Sequence, residues 1–212
     1  EGILYVSDFN QPIKPPSFFR DIPSVLVNCF DSSGSCYAVI PNDELGGFRM
    51  AEAAISRGHR RIGFFSHSTK MVAGKERQSG FRKAHTDMGI SLDEQLIIPC
   101  SSIGGNFPNE NHLMSEALKK VLSLSNKPTA ICCGNDRMAM NLYKLLQQRE
   151  IKIPDEISVI GFDNYTMISE LLEPPLTTVE LPYFKMGLKG GQKLLNLIRD
   201  AEEAKSELLL ET

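Results

Sequence analysis

The run Ile157-Ser158-Val159-Ile160-Gly161-Phe162 ends in Asp163-Asn164. A β-branched run of this kind reads as a buried parallel strand that carries the Asp163 carboxylate to its C-terminal tip, where open α/β sheets bind ligands. A carboxylate there can accept two hydroxyl hydrogens of a sugar or the N–H groups of a base. Asp-Asn also favours a turn, and the two roles are compatible. Asn135 ends a second apolar run, 130–133, where its amide can donate and accept or cap the following helix. Arg77 offers a rigid fork of donors to vicinal hydroxyls, a carboxylate or a phosphate. By residue type alone, a surface arginine in a helix-end ion pair is its commoner role.

Other chemistries lack their frames. Ser66 and His67 have no Gly-x-Ser-x-Gly elbow around them. Gly74-Lys75-Glu76 lacks the Ser or Thr that a phosphate loop needs after its lysine, and Thr69 stands where the upstream glycine belongs. Gly104-Gly105 makes no dinucleotide fingerprint. The five cysteines, Cys29, Cys36, Cys100, Cys132 and Cys133, are odd in number and form no C-x-x-C pair. They read as buried free thiols of a reducing cytosol, not as a zinc site. No nucleophile-base-orienter set and no metal cluster emerges, so the expectation is a protein that is not an enzyme and needs no cofactor. A net charge of -3 with 23% charged residues excludes a general nucleic-acid surface in this segment. No apolar run approaches the roughly 18–20 residues of a membrane span. Glu1-Gly2-Ile3-Leu4 reads as the middle of a strand with no signal layout, so the expectation is a cytoplasmic chain excised from something longer.

These residues need elements to hold them. A chain of 212 residues, 42% hydrophobic, can bury one or two cores. Strand-length apolar runs fall at 3–6, 24–27, 37–40, 61–65, 95–98, 130–133, 158–161 and 177–179. Helical periodicity marks 43–56, 110–124, 136–148 and 184–198, with a further helix over 78–88 opened by Arg77 and closed by Gly89. The segment 11–19 reads as a surface loop or short helix start. Alternating strands and helices of these lengths predict α/β architecture, a parallel sheet with helices on both faces.

Several phrases are more specific. Gly58-His59-Arg60-Arg61-Ile62, Arg77-x-x-Gly80-Phe81-x-x-Ala84, Pro128-Thr129-Ala130, Asn135-Asp136-x-Met138-Ala139 and Gly161-Phe162-Asp163-Asn164 with Pro175-Leu176-Thr177-Thr178 follow one another in order. Together they resemble the effector-binding domain of the lactose-repressor (LacI/GalR) family of bacterial transcription regulators. The likeness runs from Glu1 to Thr212. It implies a two-lobed, periplasmic-binding-protein-like fold with parallel sheets flanked by helices and a small effector in the cleft. Residues 1–41 and 179–202 would be the remnant of an incomplete N-terminal lobe. Residues 42–178 and 203–212 would form the C-terminal lobe. The family's helix-turn-helix headpiece, hinge and first two β-α units have no counterpart in this sequence.

The resemblance also assigns ligand-binding roles. Arg77 matches an arginine facing the cleft from the start of a helix, and Asp163 and Asn135 match strand-tip positions. Ser102, Asn28 and Asp8 match cleft-lining positions more loosely. Asn42-Asp43 matches a capping site at the lobe crossing. Ser102 stands where relatives often carry a ring, and Met71 and Ala73 replace polar residues of purine-type members. These departures favour a sugar, sugar phosphate or sugar acid as effector. Phe30 and Phe107 are expected to pack in a core or loop. The implied partners are that effector, a second copy in a homodimer, and operator DNA reached through a headpiece. Arg77→Ala is then expected to lose effector response in a folded domain. The alternative is a periplasmic sugar-binding protein of a transport system.

Overall fold

The computed structural model describes residues 1–101, 107–199 and 207–210. Along the chain lie β1 (Ile3–Val6), β2 (Pro12–Ile13), β3 (Ser24–Val27), β4 (Phe30–Asp31), β5 (Tyr37–Pro41), α1 (Asp43–Ile55), β6 (Ile62–Ser66), α2 (Val72–Asp87) and β7 (Ile97–Pro99). There follow α3 (Phe107–Leu122), β8 (Ala130–Cys133), α4 (Asp136–Gln147), β9 (Ser158–Asp163), α5 (Thr166–Ser169), β10 (Thr177–Glu180), α6 (Tyr183–Arg199) and β11 (Glu207–Leu210). Every long strand and helix read from periodicity is present. The two-residue β2–β4 pair and the four-residue α5 were too short to show a period.

The chain divides into two compact units, Glu1–Asn42 with Pro182–Thr212, and Asp43–Leu181. The first is built on a parallel sheet in the order β1-β3-β5-β11. β3 and β5 are buried along their whole length, and Phe19, Leu26, Cys29, Cys36, Ala38 and Ile40 form a core. Two expectations are corrected here. The last strand does not join the other unit: Leu208 pairs with Val39 and Leu209 with Ile40, so β11 extends the first sheet. An apolar run satisfies the open edge of β5, a non-local choice that no local pattern encodes. Residues 179–181 likewise belong to the second unit, because β10 stays paired with β9 as far as Glu180.

The second unit carries a five-stranded parallel sheet in the order β10-β9-β8-β6-β7. Alternation along each strand sends successive side chains to opposite faces. Phe65, Ile131, Cys133 and Val159 pack against Met114 and Leu118 of α3 and Met138, Leu142 and Leu146 of α4. On the other face Phe64 meets Phe81 of α2 with ring centroids 5.0 Å apart, and the Cys132 thiol points at the Met50 carbonyl of α1. After β7 the order turns back past β6 to place β8 on its other side. That reversal is a topological switch point, the place where open α/β sheets form a crevice.

Helices α1 and α2 cross backbone to backbone. A Cβ on Gly47 would strike the Arg77 main chain, and one on Gly80 would strike the Glu44 carbonyl and Phe48 nitrogen. Helix α2 begins at Val72, not near Gln78, so Arg77 lies within its second turn and not at its start. Because the neighbours are backbone, they cannot rotate away. Gly80→Ala is therefore expected to lower the unfolding free energy by about 1–3 kcal/mol or more in urea titration; an unchanged midpoint would show that the crossing relaxes freely.

Candidate functional site

Arg77 reaches from α2 across the tips of β8 and β9. Its guanidinium carbon lies 3.5 Å from the centroid of the Phe162 ring, a cation–π contact in a desolvated place. Nε donates to Asp43 Oδ1 at 2.8 Å and Nη1 donates to the Gly134 carbonyl at 2.6 Å. Both members of the ion pair are buried, with side chains 6% and 1% exposed. Asp43, expected only to cap a helix, is thus the counter-ion of Arg77. Nη2 is left without a hydrogen bond to the described residues. An Arg77→Ala change would strand the Asp43 carboxylate in the interior at a cost of about 3–5 kcal/mol. The variant that the resemblance led us to expect as folded would therefore carry a stability cost as well as a binding one.

Asp163 ends β9. Its Oδ1 is 3.9 Å from Arg77 Nη1, beyond hydrogen-bond range, and its side chain is 22% exposed. Burial pushes its carboxyl up to about 7; the Arg77 guanidinium pulls it down, the nearby Asp136 and Asp43 carboxylates push it further up, and Arg137 pulls it down. Near neutral pH it is therefore shared between an acid that donates and a carboxylate that accepts. Its backbone is held at φ 115 and that of Asn164 at φ 51. Such conformations cost of order 1–3 kcal/mol for a side-chain-bearing residue and cluster at functional sites.

Asn135 follows β8 and caps α4: its side-chain oxygen accepts from the Met138 N–H at 2.8 Å. The amide nitrogen is not used in that cap, so capping and ligand binding fit one side chain. Next to it, Asp136 is buried and accepts from the Tyr165 N–H at 2.7 Å and the Thr178 hydroxyl at 2.6 Å. Burial raises its carboxyl and those two hydrogen bonds oppose the rise.

His67, just past β6, is buried with Nδ1 2.8 Å from Ser101 Oγ. Burial, reinforced by the charge of Arg77, pushes the imidazole down to about 3, so it is neutral. Gln78 Nε2 donates to Ser66 Oγ at 2.9 Å and to the His67 carbonyl at 3.2 Å. Ser66 and His67 are thus each hydrogen-bonded to other groups.

In the first unit, Asp8 is exposed in the loop after β1. Asn28, at the tip of β3 with φ 57, donates its amide to the Ser7 carbonyl at 3.0 Å and so ties two strand ends together. Ser102 lies outside the described residues. Phe30 packs on the first unit's core. All five cysteines are free and buried. Burial raises Cys29 to about 11 and Cys100 to about 12, which makes them inert thiols. Among the described residues no His, Cys, Asp and Glu group could hold a metal, and no helix is long and apolar enough to cross a membrane.

Asp43, Asp136, Thr178 and His67 are the site residues that sequence reading missed. Each is polar and lies beside a recognised motif, but only its burial separates it from a solvated neighbour.

A parallel sheet with polar side chains gathered at its carboxyl tips defines an α/β ligand-binding domain. Residues 51–212 match the periplasmic binding protein-like domain family. The HTH-type transcriptional repressor PurR of Vibrio atlanticus (strain LGP32) is 36% identical over 207 residues, covering 97% of this chain and 60% of that protein. PurR of Vibrio cholerae serotype O1 (strain M66-2) is 34% identical over 204 residues, covering 95% and 58%. A LacI-family transcriptional regulator from Rhizobium etli superposes with a TM-score of 0.86 at 27% identity, covering 99% of this chain and 74% of that one. One from Enterococcus faecium, solved with bound ribose, gives a TM-score of 0.75 at 25% identity, covering 90% and 68%. The chain belongs to the periplasmic binding protein-like domain family, in the effector-binding form that LacI-family regulators carry. It spans about 60% of the length of the curated relatives it matches.

The carboxyl of Asp163 carries a pH signature. Its folded value of about 7 lies above the ordinary value near 4. The folded state therefore holds the proton more tightly, so this contribution to stability falls as pH rises from about 4 to 7 and then levels off. His67 acts in the opposite sense, because its folded value of about 3 lies below the ordinary one; its contribution is lost as pH falls below about 6.5. The two slopes partly cancel in the wild type, which makes Asp163→Asn the informative comparison. That variant is expected to gain on the wild type as pH rises from 5 to 7, by up to ~1.4 kcal/mol per pH unit in urea unfolding. A constant difference across that range would exclude the raised value.

Proposed function

We propose that this chain is the effector-sensing and dimerising core of a LacI-type transcriptional regulator, and that its effector is a neutral polyhydroxy compound, a sugar or sugar derivative. The observation that carries this reading is the Asp163 carboxyl. It stands at a strand tip close to the sheet's switch point, partly open, with Arg77 3.9 Å away and hydrogen-bonded to Asp43 instead. A sugar supplies the vicinal hydroxyls that such a carboxyl takes up, while Asn135 Nδ2 and Arg77 Nη2 can donate to its oxygens.

Charge decides between the effectors expected from sequence. Asp43, Asp136 and Asp163 act together with the guanidinium groups of Arg77 and Arg137, and Arg77 is already paired with Asp43, so a phosphate or carboxylate would meet more carboxyl groups than free cations. Sugar phosphates and sugar acids therefore fall behind neutral sugars. The ribose-bound relative from Enterococcus faecium supports the sugar class.

Dimerisation has its own support. The second unit leaves Met140, Tyr165, Met167 and Leu171 exposed, and Met140 and Leu171 line a groove of about 510 Å³ whose walls also carry Lys144, Glu150, Lys152 and Glu173. Exposed apolar side chains rimmed by polar ones mark an interaction site, and a second copy is the occupant in this reading. A two-fold dimer would read operator half-sites through a headpiece outside this chain. Ligand-driven lobe closure, the switch the resemblance implies, would act through differential affinity for two states. The buried free thiols fit a cytoplasmic location better than a periplasmic transport protein.

Calorimetric titration of the full-length protein with neutral mono- and disaccharides, led by D-ribose and cellobiose, and with ribose 5-phosphate tests the effector. Binding of a neutral sugar is expected, at least ten times tighter than of the phosphate, with a tenfold or greater loss in Asp163→Ala, about 1.4 kcal/mol. Preference for the phosphate, or unchanged binding by Asp163→Ala, would overturn the assignment. Light scattering on Leu171→Glu tests the dimer: the variant is expected to run as a monomer, and a persistent dimer would place the interface elsewhere.

A further inference from the structure

Two consecutive non-glycine residues with positive φ, at Asp163 and Asn164, do not hold themselves in place. Asn164 is exposed and Asp163 partly so, which leaves little packing to enforce the turn. The restraint comes from beneath. Asp136, the first residue of α4 and 1% exposed, aims its carboxylate at the turn from below. Its Oδ2 accepts from the Tyr165 N–H at 2.7 Å, immediately after the strained pair. Its Oδ1 accepts from the Thr178 hydroxyl at 2.6 Å, and Thr178 Oγ1 in turn accepts from the Asn164 N–H at 3.3 Å. On the far side, the Leu181 N–H donates to the Asp163 carbonyl at 3.2 Å.

The sequence makes room for this clamp. Thr178 sits opposite Gly161 in the β9–β10 ladder. A Cβ at Gly161 would collide with the Asp136 carboxylate and with Leu176. A buried carboxylate needs full hydrogen bonding to be tolerated, and here the donors that satisfy it are the groups that define the turn. Its place at the head of α4 also suits an anion at the positive end of a helix dipole.

We propose that Asp136 and Thr178 are positioning residues of the effector site: they hold the strained 163–165 turn so that the Asp163 carboxyl stays at the strand tip, out of hydrogen-bond reach of Arg77. This rests on the reading of Asp163 as an effector contact. Asp136 touches no ligand in this scheme and acts through the backbone of Tyr165 and the hydroxyl of Thr178. Its charge also bears on Asp163 directly, alongside Asp43, against the opposing charges of Arg77 and Arg137.

The test is a ¹³C NMR titration of the Asp163 carboxyl in the ligand-free chain, assigned by its loss in Asp163→Asn, for the wild type, Thr178→Val, Thr178→Ser and Asp136→Asn. Thr178→Val frees the turn and lets water reach Asp163, so its midpoint is expected to drop by at least about half a pH unit toward the ordinary carboxylate value. Thr178→Ser, which keeps the hydroxyl, should restore the wild-type midpoint. Asp136→Asn, which removes the charge, should lower it as Thr178→Val does. A Thr178→Val chain that unfolds more easily yet titrates Asp163 as the wild type does would reduce the clamp to a stability device and overturn the proposal. If Thr178→Val does not fold, Thr178→Ala, which also lacks the hydroxyl and leaves the Asp136 charge in place, decides with the same expected drop. Because the midpoint is read without ligand, it is independent of the sugar titrations. Should Asp163→Ala bind sugar normally while Thr178→Val still shifts the midpoint, the effector reading fails and the clamp on Asp163 stands.

Discussion

The buried ion pair between Arg77 and Asp43 is the interaction on which the rest of the second unit's site depends. Two charges taken out of water are costly unless geometry and further hydrogen bonds compensate. Here the compensation is visible: Nε faces Asp43 at 2.8 Å, Nη1 faces the Gly134 carbonyl at 2.6 Å, and the guanidinium plane lies over Phe162. That geometry exists because α1 and α2 touch at Gly47 and Gly80, which brings Asp43, one turn before Gly47, next to Arg77, nearly one turn before Gly80. One arginine thereby links α1, α2, the tip of β8 and the end of β9.

Pairing Arg77 with Asp43 has a second effect. The guanidinium that would otherwise neutralise Asp163 is engaged, and Asp163 is left 3.9 Å away with other carboxylates in its field. The site thus holds a carboxyl poised between its two protonation states, with burial, Asp136 and Asp43 set against Arg77 and Arg137. The positive-φ backbone of Asp163 and Asn164 is a cost of the kind that clusters at functional sites. His67, neutral and hydrogen-bonded near Ser101, adds polarity near the tip of β6 without adding charge.

Much of this unit was legible in the residues. The alternation of apolar runs located every long strand to within a few residues, and Asp163 and Asn135 were read at strand tips because each closes an apolar run of strand length. Asn135 was read with two rival roles, and its cap on Met138 is now visible. Less legible was the start of α2, since the polar run before Arg77 and Gly74 within it interrupt the apolar period. Asp43 was read as a cap because sequence distance hides its partner 34 residues away. Asp136 was read as part of a family phrase, and its hydrogen bonds run to Tyr165 and Thr178.

Local chemistry alone determined the α/β alternation, the carboxylate at the end of β9, the amide after β8 and the inert character expected of the cysteines, because each follows from period, residue type and near neighbours. The tertiary structure alone decided which cation meets which carboxylate, that β11 joins β5 and not the second sheet, and that Asp163 is the carboxyl left over. Those outcomes hinge on helix crossing, strand order and exclusion of water, which arise from contacts between segments far apart in the chain and have no signature in any one of them.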